Sequence, residues 1–165
     1  MSAAPFQRGA AAVGVLGELP PLESALVLYI RLWHTSPAAR HEVACDFNRA
    51  LGAEGGAQML DLFETFCAAA AASARRPLIR HEIRCRCLGA DESALAHLVA
   101  AAAEGAHEDA ELLAALLMER GSVTRITGLA RALGTGLARM FPRHGKSPAP
   151  DGHRVTHTIQ TAARH

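Results

Sequence analysis

Residues 36 to 52 read SPAARHEVACDFNRALG and contain the clearest helix signals in the chain. Ser36 can cap the free backbone amides of a helix start, and Pro37 fits the first helical position. Gly52 follows as a signal for a helix end. Between them, apolar residues repeat with helical spacing and would form one buried face: Val43, Phe47, Ala50 and Leu51. The stretch therefore predicts an amphipathic helix that ends at Gly52.

The same spacing continues on both sides of this stretch, with glycines and prolines between the periodic segments. Further helices are predicted from Leu19 to Trp33, after Gly55 and Gly56, from a capping residue at Asp91, after Gly105, and from Ile126 to Met140. No segment alternates apolar and polar residues with a period of two, so no sheet is expected. The sequence predicts a single all-α domain, a compact bundle of five to six helices over residues 19–142.

The two ends of the chain differ from this helical region. Residues 1–18 form a weakly apolar stretch broken by glycines, which we interpret as a partly ordered lead-in rather than a secretion signal. Residues 143–165 are rich in Pro, Gly, Thr and His and predict a flexible, basic, His-rich tail. Because no apolar run approaches the ~20 residues of a spanning helix, no membrane partner is expected.

Composition limits the classes of function. Half of the 165 residues are hydrophobic but only 4% are aromatic, so the core must consist mainly of small side chains on closely packed helices. A net charge of +1 provides no general attraction to nucleic acid or to an anionic membrane. Four cysteines are too few for a disulfide framework in a chain of this length. These features predict a cytoplasmic protein with reduced thiols.

Residues 80 to 92, RHEIRCRCLGADE, contain the densest group of chemically reactive side chains. His81, Cys85 and Cys87 could supply one imidazole and two thiolates to zinc or iron. The Cys-x-Cys spacing is narrower than the Cys-x-x-Cys spacing of most zinc ribbons. The favoured prediction is a non-enzymatic metal-binding helical protein that uses these residues as ligands.

A second copy of the pattern widens this hypothesis. Residues 37–54 and 77–91 both read Pro-x-x-Arg-His-Glu-(Val/Ile)-x-Cys, followed by Leu-Gly-Ala and an acidic residue. The match is either a trace of a duplicated helical hairpin or chance in an Ala- and Arg-rich sequence. On a helix, positions i and i+4 share one face, so two copies could build a tetrahedral site. That wider ligand set is His41, Cys45, His81 and Cys85, with Cys87 as a substitute.

Two other classes of function remain open. The first is an interaction or regulatory module, in which an arginine patch over residues 75–86 binds an acidic protein partner. In a variant of this class, residues 126–143 form a DNA-binding helix-turn-helix, although one continuous helix explains the same residues and the net charge disfavours nucleic acid. Small-residue faces would also suit a homo-oligomer.

The second class is a thiol-redox protein that uses Cys85 and Cys87. Arginines on both sides of Cys85 favour its thiolate form. A Cys-x-Cys pair can oxidise to a small-ring disulfide that is strained and easily reduced. Cys67, in contrast, has the spacing of a small buried hydrophobic residue.

The segment CRCLGADE, residues 85–92, followed by a helix and by EDAELLAALLMERG, residues 108–121, resembles a group of small bacterial helical proteins. These share a Cys-x-Cys-(Leu/Val)-Gly-Ala-Asp-Glu stretch, and the likeness covers residues 20–141. The resemblance implies a compact helical fold and no particular chemistry. It directs attention to Cys85, Cys87 and Asp91, and adds nothing for His41 and Cys45.

Overall fold

The computed structural model describes residues 8–142, which form five α-helices and one small sheet. The helices are α1 (Pro21–Trp33), α2 (Pro37–Ser73), α3 (Ala90–Glu104), α4 (His107–Leu117) and α5 (Val123–Met140). The strands are β1 (Ala12–Val15) and β2 (Cys87–Gly89), and short 3-10 helices lie at Arg8–Ala10, Leu16–Glu18 and Arg120–Ser122. The predicted compact helical bundle of a single domain is confirmed.

The expectation that no sheet forms is wrong. Strands β1 and β2 pair antiparallel, with Val15 opposite Cys87 and Ala12 opposite Gly89. Each strand has only three or four residues, too few to show a period of two in the sequence. Strand β1 lies within the predicted lead-in, so this part of it pairs with the helical domain. Residues 1–7 and the predicted tail at 143–165 lie outside the described residues.

Helix α2 begins where the sequence predicts, and its helical backbone is interrupted where the sequence predicts a helix end. The Ser36 hydroxyl accepts a hydrogen bond from the backbone N–H of Ala39 at 3.1 Å, as expected of a capping residue. Gly52 has a φ of 78°, a left-handed conformation that favours glycine, and its non-helical backbone divides α2 into two helical halves at a kink. The predicted second and third helices are therefore the two halves of α2.

The predicted cap of α3 is wrong by two residues. The helix is preceded by Gly89, and Asp91 is its second residue. Glu92 accepts the Gly89 backbone N–H at 3.0 Å. The Asp91 carboxylate instead binds a neighbouring loop, as described below. Neither α3 nor any other helix within residues 8–142 has the length and apolar content to cross a membrane, while the predicted cytoplasmic location stays a prediction.

Helices α3 and α5 approach each other closely at Gly134. A Cβ atom added there would lie 2.6 Å from the backbone oxygen of Val99 and 2.7 Å from the Cβ of Ala103. Helix α5 continues without a break through this glycine, so the helix-turn-helix interpretation lacks its turn. At Gly128 on the same helix, an added Cβ would meet no atom within 4 Å.

We expect Gly134→Ala to destabilise the protein, whereas Gly128→Ala should stabilise it. The steric cost at Gly134 belongs in the upper part of the roughly 1–3 kcal/mol range for overpacking, because one clashing atom is backbone. That cost exceeds the gain in helix propensity, about 1 kcal/mol, which Gly128→Ala obtains without a clash. Urea denaturation of both variants tests this. Equal stability of the two would contradict the close approach of α3 and α5.

Candidate functional site

A buried ion pair joins α1 to the start of α3. Arg31 and Glu92 are 1% and 2% exposed, so water does not screen them. The Nε of Arg31 donates to Oε1 of Glu92 at 2.7 Å, and its Nη2 donates to Oε2, also at 2.7 Å. Two parallel hydrogen bonds of this kind are the strongest arrangement for a guanidinium and a carboxylate.

The Arg31 guanidinium also binds the backbone of the loop that leads into β2. Its Nη1 donates to the carbonyl oxygen of Cys85 at 2.7 Å and to that of Glu82 at 3.2 Å. Its Nη2 donates to the carbonyl oxygen of Cys87 at 2.7 Å. We call residues 77–86 the clamped loop, because this one side chain fixes three carbonyl groups in and just after it.

The Glu92 carboxylate binds the other polar groups of the same backbone. It accepts the backbone N–H of His81 and that of Gly89, each at 3.0 Å. Burial alone would raise the pKa of Glu92, but the hydrogen bonds from Arg31 and from these two amides outweigh it. The pKa of Glu92 therefore lies below its ordinary value, and the side chain is ionised at neutral pH.

Asp91 performs the same role at the beginning of the clamped loop. Its carboxylate accepts two hydrogen bonds from Arg76, at 2.7 and 2.8 Å, and one from the backbone N–H of Ile79 at 2.9 Å. Burial opposes ionisation, but these hydrogen bonds lower the pKa of Asp91 below its ordinary value. The adjacent Asp91 and Glu92 thus organise a loop that has no helix or strand hydrogen bonds of its own along most of its length.

The predicted ligands form two separate histidine–cysteine pairs. On the exposed side of α2, His41 Nε2 lies 3.4 Å from Cys45 Sγ. In the clamped loop, His81 Nδ1 lies 3.7 Å from Cys85 Sγ, and the neighbouring Cys85 thiol raises the pKa of Cys87. No group of three or more His, Cys, Asp or Glu side chains within residues 8–142 is placed to hold a metal ion. The zinc or iron site stays a prediction.

The two copies of the sequence pattern have different structures. The first copy, residues 37–54, is helical apart from the kink at Gly52. In the second copy, residues 77–86 have no helix, and their amides and carbonyls bind Asp91, Glu92 and Arg31 instead. The shared pattern therefore adopts a helix or a loop according to its tertiary partners, and it is not a repeated helical hairpin.

A groove opens beside the clamped loop, with a volume of about 540 Å³. We call it the arginine groove. Its apolar floor comes from α1, α2, α3 and the loop: Ile30, Phe66, Cys67, Ala70, Ala71, Ala74, Pro77, Leu78, Ile79 and Leu95. Its polar lining is formed by His34, Arg75, Arg76, Arg80 and Glu92. The groove thus joins an apolar surface to a positively charged rim.

The arginines of the rim differ in what they already bind. Arg75 donates to the carbonyl oxygen of Met118 at 2.9 Å, and Arg76 is paired with Asp91. The exposed Arg80 makes no hydrogen bond or ion pair with any residue in the described part of the chain. Arg80 is therefore the guanidinium in this groove that is most available to an external anion.

Two titratable groups in the groove are uncharged at neutral pH. Burial raises the pKa of the Cys67 thiol to about 12, so this sulfur behaves as part of the apolar floor. Burial also lowers the pKa of His34, and the positive charges of Arg80 and Arg40 lower it further. The positive charge of the groove consequently comes from its arginines.

The sequence contains a signal for the clamp that periodicity alone does not reveal. Arg31 stands inside an apolar run, LVLYIRLW at residues 26–33, where a charged side chain on the buried face requires a partner. Its partner Glu92 is 61 positions away.

No protein-family model, curated protein or solved structure matches this chain. The resemblance to small bacterial helical proteins stays a prediction.

Proposed function

We propose that the protein binds a small amphipathic anion in the arginine groove. The observation that carries this proposal is the joining of an apolar floor and an arginine rim in one cavity of about 540 Å³. Cavities of roughly 300–1,000 Å³ with mostly apolar walls and a few polar groups are typical of small-molecule sites. The protein would then be a binding module rather than an enzyme.

The arginines of the rim favour a ligand with an acidic group. Arg80 has no partner among residues 8–142, and Arg75 and Arg76 add positive charge beside it. A guanidinium presents a planar fork of donors that matches a carboxylate or phosphate. A ligand with one such group would pair with Arg80 without breaking the hydrogen bonds that Arg75 and Arg76 already make.

The apolar residues of the floor favour a ligand whose remaining part is apolar. Phe66 is 1% exposed and closes the bottom of the groove, while Ala70, Ala71 and Ala74 leave space above α2 because their side chains are short. Burial of an aliphatic chain here would contribute about 0.8 kcal/mol for each CH₂ group. This proposal keeps the positive patch of the predicted interaction module but replaces its acidic protein partner with a small molecule.

Decanoate and decanol are matched probes for this groove, because they share a chain and differ in charge. We expect decanoate to bind more tightly than decanol in isothermal titration calorimetry. Arg80→Ser should weaken decanoate binding by roughly tenfold, the loss of one charge-assisted contact, and leave decanol binding unchanged. Arg84→Ser is the control, since Arg84 is an exposed arginine of the clamped loop that does not line the groove.

A blocking variant separates the groove from other surfaces. Ala71 is exposed on α2 and lines the groove, so Ala71→Phe should fill the space without disturbing the core. We expect this variant to keep wild-type stability and to lose both probes. The proposal is contradicted if decanoate binds equally well to wild type, Arg80→Ser and Ala71→Phe, or if an acidic peptide binds at the rim while neither probe binds.

A further inference from the structure

Cys85 and Cys87 are held side by side by their own backbone. Their carbonyl oxygens both accept hydrogen bonds of 2.7 Å from Arg31. Residues two apart in an extended segment present their side chains on the same side. The Cys85 thiol accordingly raises the pKa of the neighbouring Cys87 thiol, and Cys87 is exposed while Cys85 is half-buried. The two sulfurs are thus close to each other and open to solvent on one side.

A proton acceptor lies next to this pair. His81 Nδ1 is 3.7 Å from Cys85 Sγ. Nε2 of the same ring is buried and has no hydrogen-bond partner within residues 8–142, so Nδ1 is the ring nitrogen available to a thiol. The other two cysteines lack this combination. Cys45 has a histidine neighbour but no second thiol beside it in α2, and Cys67 is a half-buried thiol in the groove floor.

We propose that His81, Cys85 and Cys87 form a thiol–disulfide exchange site whose oxidant is a small exogenous disulfide. This activity is separate from ligand binding in the arginine groove. A Cys-x-Cys disulfide closes a small, strained ring that is easily reduced again, which suits reversible exchange rather than permanent cross-linking.

The exchange takes place in two balanced steps. The Cys85 thiol gives its proton to His81, and the Cys85 sulfur attacks one sulfur of the exogenous disulfide RS–SR. The first RS⁻ leaves and takes the proton from His81, so that Cys85 carries a mixed disulfide. The Cys87 sulfur then loses its proton, attacks the Cys85 sulfur and displaces the second RS⁻, which takes that proton. Two protein thiols are oxidised to one disulfide, and RS–SR is reduced to two RSH.

Oxidised and reduced glutathione at graded ratios are the probe for this site. After chelator treatment and acid quenching, free thiols are alkylated and the products mapped by mass spectrometry. We expect an intramolecular Cys85–Cys87 disulfide that forms and disappears reversibly with the ratio. Cys85→Ser or Cys87→Ser should abolish it and leave a stable glutathione adduct on the remaining cysteine. Cys45→Ser is the control and should oxidise like the wild type.

The role of His81 is tested by the rate of oxidation as a function of pH. His81→Gln should slow oxidation near neutral pH by about a hundredfold, the lower end of general-base effects, and shift the rate profile to higher pH. His41→Gln is the matched control, because His41 contacts Cys45 in the same i, i+4 arrangement. In His41→Gln, the rate of Cys85–Cys87 oxidation should depend on pH as it does in the wild type.

Three results would overturn the proposal. One is the accumulation of separate glutathione adducts on Cys85 and Cys87 without a disulfide between them. That is the behaviour expected of an isolated thiol such as Cys45. Another is an unchanged pH profile in His81→Gln. The third is stoichiometric zinc or iron in protein purified without chelator, bound through both thiols, which would support the predicted metal site instead.

Discussion

Replacing Arg31 with methionine is expected to lower the free energy of unfolding by about 3–5 kcal/mol, the range for removing one partner of a buried ion pair. The loss is large because Glu92, 2% exposed, would keep its negative charge without a cation beside it. The carbonyl oxygens of Cys85 and Cys87 would lose their donor at the same time. Urea denaturation followed by circular dichroism measures the change.

An exposed arginine provides the control for this variant. Arg49 pairs with Asp46 at 3.0 Å on the surface of α2, and its side chain is 77% exposed. Because water screens such a pair, Arg49→Met should cost less than about 1 kcal/mol. If Arg31→Met and Arg49→Met lower the free energy of unfolding by similar amounts, the buried Arg31–Glu92 pair does not stabilise the fold more than an exposed ion pair does.

A double variant distinguishes a clamp from a simple ion pair. Buried ion pairs can often be replaced by apolar residues without loss of stability, so electrostatics alone would make Arg31→Met combined with Glu92→Leu nearly neutral. Here the double variant also leaves the amides of His81 and Gly89 without an acceptor. Each buried backbone group left unsatisfied costs about 1–3 kcal/mol, so the double variant should remain clearly destabilised. Full recovery would show that the backbone contacts are dispensable.

The helices could be predicted from the sequence because their determinants are local. Ser36 caps an amide three residues away, and Gly52 allows a backbone conformation that other residues avoid. The glycine signal predicts a helix end at Gly52, and the non-helical backbone there divides α2 into two halves that meet at a kink. The direction of the helix after such a glycine depends on tertiary packing, such as the contact of Phe63 in α2 with Trp33 in α1. A local sequence pattern does not contain that information.

The clamped loop could not be predicted in the same way, because its determinants are distant. The pattern Arg-His-Glu-(Val/Ile)-x-Cys is helical around His41, where its amides bond within α2. Around His81 the amides and carbonyls bind Glu92 and Arg31 instead. Short segments with the same sequence pattern can therefore differ in structure when a buried charge competes for the backbone.

The sequence predicts which reactive residues lie together more accurately than it predicts the shape of the surface around them. The sequence predicts that His81, Cys85 and Cys87 act together. The structure places His81 Nδ1 3.7 Å from Cys85 Sγ, and the Cys85 thiol raises the pKa of the neighbouring Cys87. The sequence predicts only one part of the arginine groove, the arginine patch on its rim. Its floor combines residues from four parts of the chain, such as Ile30 and Leu95, whose meeting depends on the fold as a whole.

Phe63→Ala is the second variant for which we expect a large loss, about 3–5 kcal/mol in the free energy of unfolding, the range for buried Phe→Ala. Phe63 is fully buried on α2 and lies at the centre of an aromatic cluster. Its ring centroid is 5.6 Å from that of Trp33, 5.8 Å from that of Phe47 and 6.5 Å from that of Tyr29, all in edge-on orientations. The variant would lose these contacts and leave a cavity that alanine-rich helices cannot fill.

Two comparisons show whether the rings or only the buried volume stabilise this cluster. Phe63→Leu keeps most of the apolar burial and loses the edge-on contacts, each worth about 0.5–1.5 kcal/mol beyond burial. Leu116→Ala removes an apolar side chain that is 70% exposed on α4 and should change stability by less than about 0.5 kcal/mol. Urea denaturation should therefore rank Phe63→Ala as the least stable, then Phe63→Leu, then Leu116→Ala. A Phe63→Leu variant as stable as wild type would mean that burial alone holds α1 against α2, because the ring contacts of Phe63 would then contribute nothing measurable.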